Sequence, residues 1–213
     1  MFRNRKEAGN LLAGKLLKYK GQPLVVIAIP RGGLPLGAIV AETLNAPLDV
    51  ALTKKIGHPF NLEYAIGAVS RDQIVLSKTR DISKAYIDSQ TLRLREKLEE
   101  RYQMFHRKKD PVPIKGKQVI IIDDGIATGN TLRATIALIA AEAPDKIIVA
   151  IPVAPPEAVE RIRTMEEVDE VICLETPRNF RAVGQFYEDF SAISDEEALA
   201  IFERGTLPEG PKS

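Results

Sequence analysis

Two adjacent carboxylates, Asp123 and Asp124, close a run of apolar residues and open a loop of small ones, Gly125-Ile126-Ala127-Thr128-Gly129-Asn130-Thr131. The pattern has a definite chemistry. The run from 118 to 122 reads as a buried strand, and ligands of open α/β sheets sit beyond the carboxyl ends of such strands. Glycines and small residues let the next stretch of backbone turn tightly with its N–H groups converging, and a helix that starts there adds its positive end. Thr128 and Thr131 contribute hydroxyls. The result is an anion cradle beside two acids, which can accept hydrogen bonds from sugar hydroxyls or hold a magnesium ion through water. The residues alone leave two other readings open: a Gly-rich turn with only a structural role, or the loop of another nucleotide fold. A Walker loop is excluded because Asn130 stands where lysine is needed, and a dinucleotide fingerprint because the glycine spacing differs.

The elements that must position this loop alternate. Residues 5–18 form an amphipathic helix with Ala8, Leu11, Leu12 and Leu16 at helical spacing, and 24–29 a buried strand. A Pro-Arg-Gly-Gly turn at 30–33 leads into a helix over 34–44, then a strand over 48–53. Residues 54–65, with Gly57, Pro59 and Asn61, read as a loop, and 65–70 and 73–77 as a hairpin around Arg71-Asp72. A long surface helix is expected over 83–107, its charges from Arg93 to Arg101 a solvated face and its His106 solvated and idle. Then follow the strand 118–122, the loop 123–130, and a helix over 131–143. A strand over 147–152, a helix over 156–165 and a strand over 170–174 complete the alternation, and Ser194 caps a short helix. This order predicts an α/β fold with a mostly parallel sheet flanked by helices.

Residues 119–131 resemble the signature of the type I phosphoribosyltransferases, which bind 5-phosphoribosyl-1-diphosphate (PRPP). That signature is four apolar residues, two acids, a short spacer, then Thr-Gly and Thr or Ser. From Arg3 to Ile201 the chain is similar to a group of bacterial phosphoribosyltransferases. The likeness is carried by Ile29-Pro-Arg-Gly-Gly, Lys54-Lys55-Ile-Gly, Ala65-Ile-Gly-Ala-Val, Glu175-Thr-Pro and the segment 183–190. The resemblance implies transfer of the phosphoribosyl group to a nitrogenous acceptor with release of diphosphate. It also implies Mg2+, a small hood lobe from the terminal segments, a long helix insertion and a homodimer.

By the same resemblance Asp123 and Asp124 bind the ribose hydroxyls, directly or with the metal, and Gly125, Ile126, Ala127, Thr128, Gly129, Asn130 and Thr131 wrap the 5′-phosphate. Arg31, Gly32 and Gly33 form the diphosphate loop, with a cis peptide at Pro30–Arg31. Lys54 and Lys55 open the mobile catalytic segment and neutralise the leaving group. Phe180, Val183, Gly184, Phe186 and Tyr187 border the acceptor; His58 and Glu63, in the lysine segment, are candidates for its proton, with a plain loop role the favoured reading of both. Ala127 replaces the acid that the hypoxanthine-guanine enzymes carry before Thr-Gly, which argues against those two bases.

The bulk properties agree with a small-molecule enzyme. With 30 basic and 29 acidic residues the net charge is +1, without the basic excess of a general nucleic-acid binder. No apolar run approaches a membrane span and the start lacks a signal-peptide core, so a cytoplasmic protein is expected. The single cysteine, Cys173, excludes an intrachain disulfide and is expected to be buried. One unit over 1–207 is expected, with its core at about 20–175 and a disordered tail at 208–213. Two rival functions remain: a PRPP or nucleotide sensor that has lost the chemistry, and an α/β phosphohydrolase.

Overall fold

The computed structural model describes residues 1–77 and 81–205, the side chain of Glu63 excepted. The expectations for 208–213 and for a boundary at 207 lie outside the described residues. Five strands form one sheet: β1 Leu24–Ala28, β2 Leu48–Val50, β6 Gln118–Ile122, β7 Lys146–Val153 and β8 Glu170–Glu175. Their order is β2-β1-β6-β7-β8 and every pairing is parallel. The fold is thus α/β with a parallel central sheet flanked by helices.

Alternating side chains divide the sheet's two faces. Val26, Ala28, Ile120, Ile122, Ile148 and Ala150 pack on one side with α1 Arg5–Leu16, α2 Leu34–Leu44 and α6 Asp195–Gly205. Val25, Ile27, Val119, Ile121, Ile147 and Val149 face the other way, toward α4 Asn130–Ala140 and α5 Pro156–Arg163. The helices that follow β1 and β6 therefore leave on opposite faces. The loops after these neighbouring strands diverge and open a crevice between them, the switch point where such sheets bind ligands.

Local chemistry sets the helix ends. The Asn4 side chain accepts from the Glu7 N–H at the start of α1. Ser194 and Glu197 form a reciprocal capping box at the start of α6, as the sequence predicts. The terminal segments meet in an extended pairing. The Phe2 N–H donates to the Phe186 carbonyl, and the Glu188 N–H donates back to the Phe2 carbonyl.

Two expectations are overturned. Residues 54–65 are not a loop. They hold β3 Lys54–His58 and the start of β4 Asn61–Val69, which with β5 Ile74–Leu76 form a second, antiparallel sheet. The turn signals Gly57, Pro59 and Asn61 mask the strands because the turn itself is confined to Pro59 and Phe60. Gly57 sits at an irregularity in the pairing, where a Cβ would lie 2.6 Å from the Leu62 carbonyl oxygen. The hairpin expected around Arg71-Asp72 is present as β4 and β5.

His106 is the second correction. It ends α3 Lys84–His106, yet it is buried, and its Nε2 lies 2.8 Å from Asp49 Oδ1. Asp49 also accepts from the backbone N–H groups of Val50 and Val112. The last turn of α3 is drawn inward because Phe105 packs edge-on against Phe202, which brings His106 with it. Cys173 is half-buried on the edge strand β8, its thiol pushed up to about 11 by burial.

Replacing Asp49 by Ala strips acceptors from a buried imidazole and two backbone donors. Urea denaturation is expected to show a loss of about 1–3 kcal/mol, the cost of leaving buried hydrogen-bonding groups unsatisfied.

Candidate functional site

The crevice is built from two loops with almost no space between them. At Gly32 a Cβ would lie 2.1 Å from an Asp124 carboxylate oxygen, and at Gly33 one would lie 2.5 Å from the Ile122 carbonyl oxygen. Both positions therefore require glycine, and the loop after β1 rests directly on the acids that end β6. The Pro30–Arg31 peptide is cis, as expected. Gly125 adopts φ 145°, where a Cβ would meet Val183 at 2.6 Å.

The two acids differ in surroundings. Asp124 is 9% exposed and its carboxylate accepts from Arg5 Nε at 2.8 Å. Arg5 also donates to the Ser191 carbonyl and lies 3.9 Å from the centre of the Phe190 ring. Tyr187 donates its hydroxyl to the Asp124 backbone carbonyl at 2.6 Å. Asp123 is half-buried, and one of its oxygens accepts from the Asp124 N–H. Desolvation, then the charge of Asp124, holds the Asp123 carboxyl well above the usual carboxylate range. Burial raises Asp124 as well, against the opposing pull of Arg5.

On one side of the acids the cradle is open. Ala127, Thr128 and Thr131 are exposed, and the Asn130 N–H donates to Thr128 Oγ1 at 3.4 Å as α4 begins. A cavity of about 540 Å³ adjoins the cradle at Thr131, and its lining also includes Arg31, Lys54, Lys55 and Arg101. Arg101 comes from α3, where the sequence predicts a solvated face, and it joins Arg31 at a shared partner, Asp195. The structure thus gathers Arg31, both lysines and Thr131 around one space.

The acceptor-side residues are packed together. The Phe180 and Phe186 rings are 5.1 Å apart, and both, with Val183, lean on the core. At Gly184 a Cβ would lie 3.0 Å from the Phe190 ring. His58 lies in β3, its Nδ1 accepting from the Phe60 N–H and its ring near Phe60 and Tyr64. The Glu63 side chain lies outside the described residues.

Sequence reasoning missed Arg5 and Arg101, although a signal exists. Arg5 continues the buried stripe Ala8, Leu12, Leu16 of α1, and Arg101 falls between Leu98 and Phe105 on the inner face of α3. A cation in register with an apolar stripe points where the stripe points.

The paired acids, the helix-start cradle and the basic cavity thus gather at the switch point of one parallel sheet. The chain belongs to the phosphoribosyl transferase domain family, whose pattern matches residues 3–191. Two Mycobacterium tuberculosis proteins that carry the provisional name phosphoribosyl transferase are 37% identical over 209 residues, covering 96% of this chain and 47% of theirs. The chain therefore spans about half the length of these relatives. The crystal structure of TT1426 from Thermus thermophilus superposes with a TM-score of 0.90 at 37% identity, covering 97% of this chain and all of that one. A hypothetical protein from Neisseria gonorrhoeae, crystallised with ppGpp, shares the fold at a TM-score of 0.50 and 16% identity, covering 94% of this chain and 92% of that one.

Two outcomes follow from the geometry. Gly32→Ala must push the Asp124 carboxylate off Arg5, so Tm is expected to fall by ~4 °C or more, as ~2 kcal/mol would produce in a chain of this size. Because the Asp123 carboxyl is raised on folding, the stability it confers is whole below the usual carboxylate range and is lost as pH rises through the raised value. Asp123→Asn should therefore raise Tm at neutral pH and flatten that part of the Tm-against-pH curve.

Proposed function

We propose that this chain is a magnesium-dependent phosphoribosyltransferase that binds PRPP and transfers its phosphoribosyl group to a nitrogenous acceptor, releasing diphosphate. One observation carries the reading: paired acids, an exposed cradle at the start of α4 and a cation-lined cavity that meets the cradle at Thr131 lie together at the ends of β1 and β6. PRPP offers the matching groups, with a phosphate at one end, hydroxyls in the middle and a diphosphate at the other end. In this reading the N–H groups and hydroxyls of residues 125–131 hold the 5′-phosphate. Asp123, the more open acid, accepts from a ribose hydroxyl, and Asp124 shares that role while anchored by Arg5. Gly32 and Gly33 let the backbone approach the diphosphate, and Arg31, Lys54 and Lys55 neutralise it as it departs.

Magnesium fits this donor set as a passenger of the diphosphate. The described residues hold no group of three or more His, Cys, Asp or Glu that would cage a metal, and the acids offer two carboxylates. Mg2+ commonly binds through one or two carboxylates, with water and substrate phosphates completing its shell. Asp123 and Asp124 would hold it, and it would supply charge neutralisation at the leaving group. The catalytic contribution of the chain is positioning, charge stabilisation and exclusion of water from a cation-like ribosyl centre. The acceptor borders Phe180, Val183, Gly184 and Phe186, and a nucleobase suits their flat apolar surfaces. The active form is proposed to be a cytoplasmic homodimer of a single unit over 1–207.

A second reading, a PRPP or nucleotide sensor without turnover, is favoured by one observation: the Asp124 carboxylate is already taken by Arg5. Calorimetry with PRPP and magnesium, followed by a diphosphate-release assay over a panel of bases, separates the two. Release with one base, seen by mass as a phosphoribosylated product, supports the transferase. Binding with no release for any base supports the sensor. In the transferase case, Asp123→Ala should lower turnover by ~100-fold or more, the order seen when charge-stabilising groups are removed from active sites. Near-normal turnover would contradict its role.

A further inference from the structure

Arg101 and Arg31 approach the same carboxylate oxygen, Asp195 Oδ1, from two different elements. Arg31 belongs to the loop after β1, Arg101 to the inner face of α3, and Asp195 to the first turn of α6. Both arginines line the 540 Å³ cavity with Lys54, Lys55 and Thr131, so two guanidiniums and two ammoniums surround one space. Such a cluster repels itself unless an anion is present. For the two arginines that anion is the Asp195 carboxylate, which lies beside both guanidiniums and is held below the usual carboxylate range by Arg101 and then Arg31.

A carboxylate between two guanidiniums imitates one edge of a phosphoryl group. Asp195 and both arginines are also well exposed, and an ion pair in that setting is weak and exchangeable. A diphosphate offers more charge and more oxygens than one carboxylate, so it can take the guanidiniums over. We propose that Arg101 is a diphosphate-binding residue, and that Asp195 is an internal counter-anion which the incoming diphosphate replaces. The inference deepens the reading above by adding a second guanidinium to its leaving-group site. It also links ligand binding to the start of α6, whose first turn gives up its ion pairs with Arg101 and Arg31 when the anion arrives.

The test is calorimetric titration of inorganic diphosphate with magnesium into the full chain, with PRPP titrated in parallel. Arg101→Gln is expected to weaken diphosphate binding ~10-fold or more, the loss of about one charge-assisted hydrogen bond. Arg101→Lys should recover only part of it, because an ammonium keeps the charge but not the fork. Asp195→Asn should bind diphosphate more tightly than wild type, and that gain should vanish in the Asp195→Asn, Arg101→Gln double variant. Should Arg101→Gln not fold, Arg101→Lys and the Asp195 variant carry the test. Unchanged affinity in both Arg101 variants, or weaker binding by Asp195→Asn, overturns the proposal. So does an equal gain in the double variant, which would reduce Asp195 to a background charge. Wild-type protein that shows these dependences on diphosphate but does not bind PRPP supports the anion site and removes the PRPP reading.

Discussion

Two like charges held side by side at the end of a buried strand repel each other and resist desolvation, and the surroundings of the site are arranged around that cost. Arg5 reaches Asp124 from α1, Tyr187 secures the Asp124 backbone through its hydroxyl, and Gly32 vacates the volume into which the carboxylate fits. None of these three contacts stabilises the fold in the way that Leu12 or Ile120 does. They hold in place a pair of acids whose ionised forms burial disfavours. An apolar pair at 123 and 124 would pack more easily, so the acids are best understood as a functional load that the fold tolerates.

The sheet was largely legible in the sequence. Runs such as 24–29 and 118–122 are apolar on both faces because they are covered on both faces, and no other common element has that signature at that length. The cradle was legible for a related reason: acids, glycines and threonines at a strand end have few structural uses together. The hairpin at 54–65 was hidden because its turn residues are dense and its alternation is broken at Gly57. His106 and Arg101 were hidden because a helix that packs only at intervals shows a weak stripe, and charges dominate the reading of α3. In both cases the periodicity placed the residue on the inner face, whereas composition placed it outside.

α3 has a larger part in the architecture than a surface helix would. Its Tyr86 hydroxyl donates to the Gly57 carbonyl of the hairpin, Tyr102 lies under the Arg71 guanidinium, Arg101 faces the cavity and His106 is fastened to β2 through Asp49. One rigid rod therefore touches the lysine-bearing strand, the basic cavity and the edge of the main sheet. A displacement of α3 would move all three together, because packed elements shift as units more readily than they deform.

The clamp on Asp124 also has a consequence for how the molecule comes into being. Arg5 is separated from Asp124 by 119 positions and from Ser191 by 186. During folding α1 cannot be clamped until β6 and the segment around Ser191 are in place for its guanidinium. Contacts between such distant parts of a chain form slowly, since a long loop has to close first. The clamp on the paired acids is thus among the last contacts to form, after the sheet that carries them.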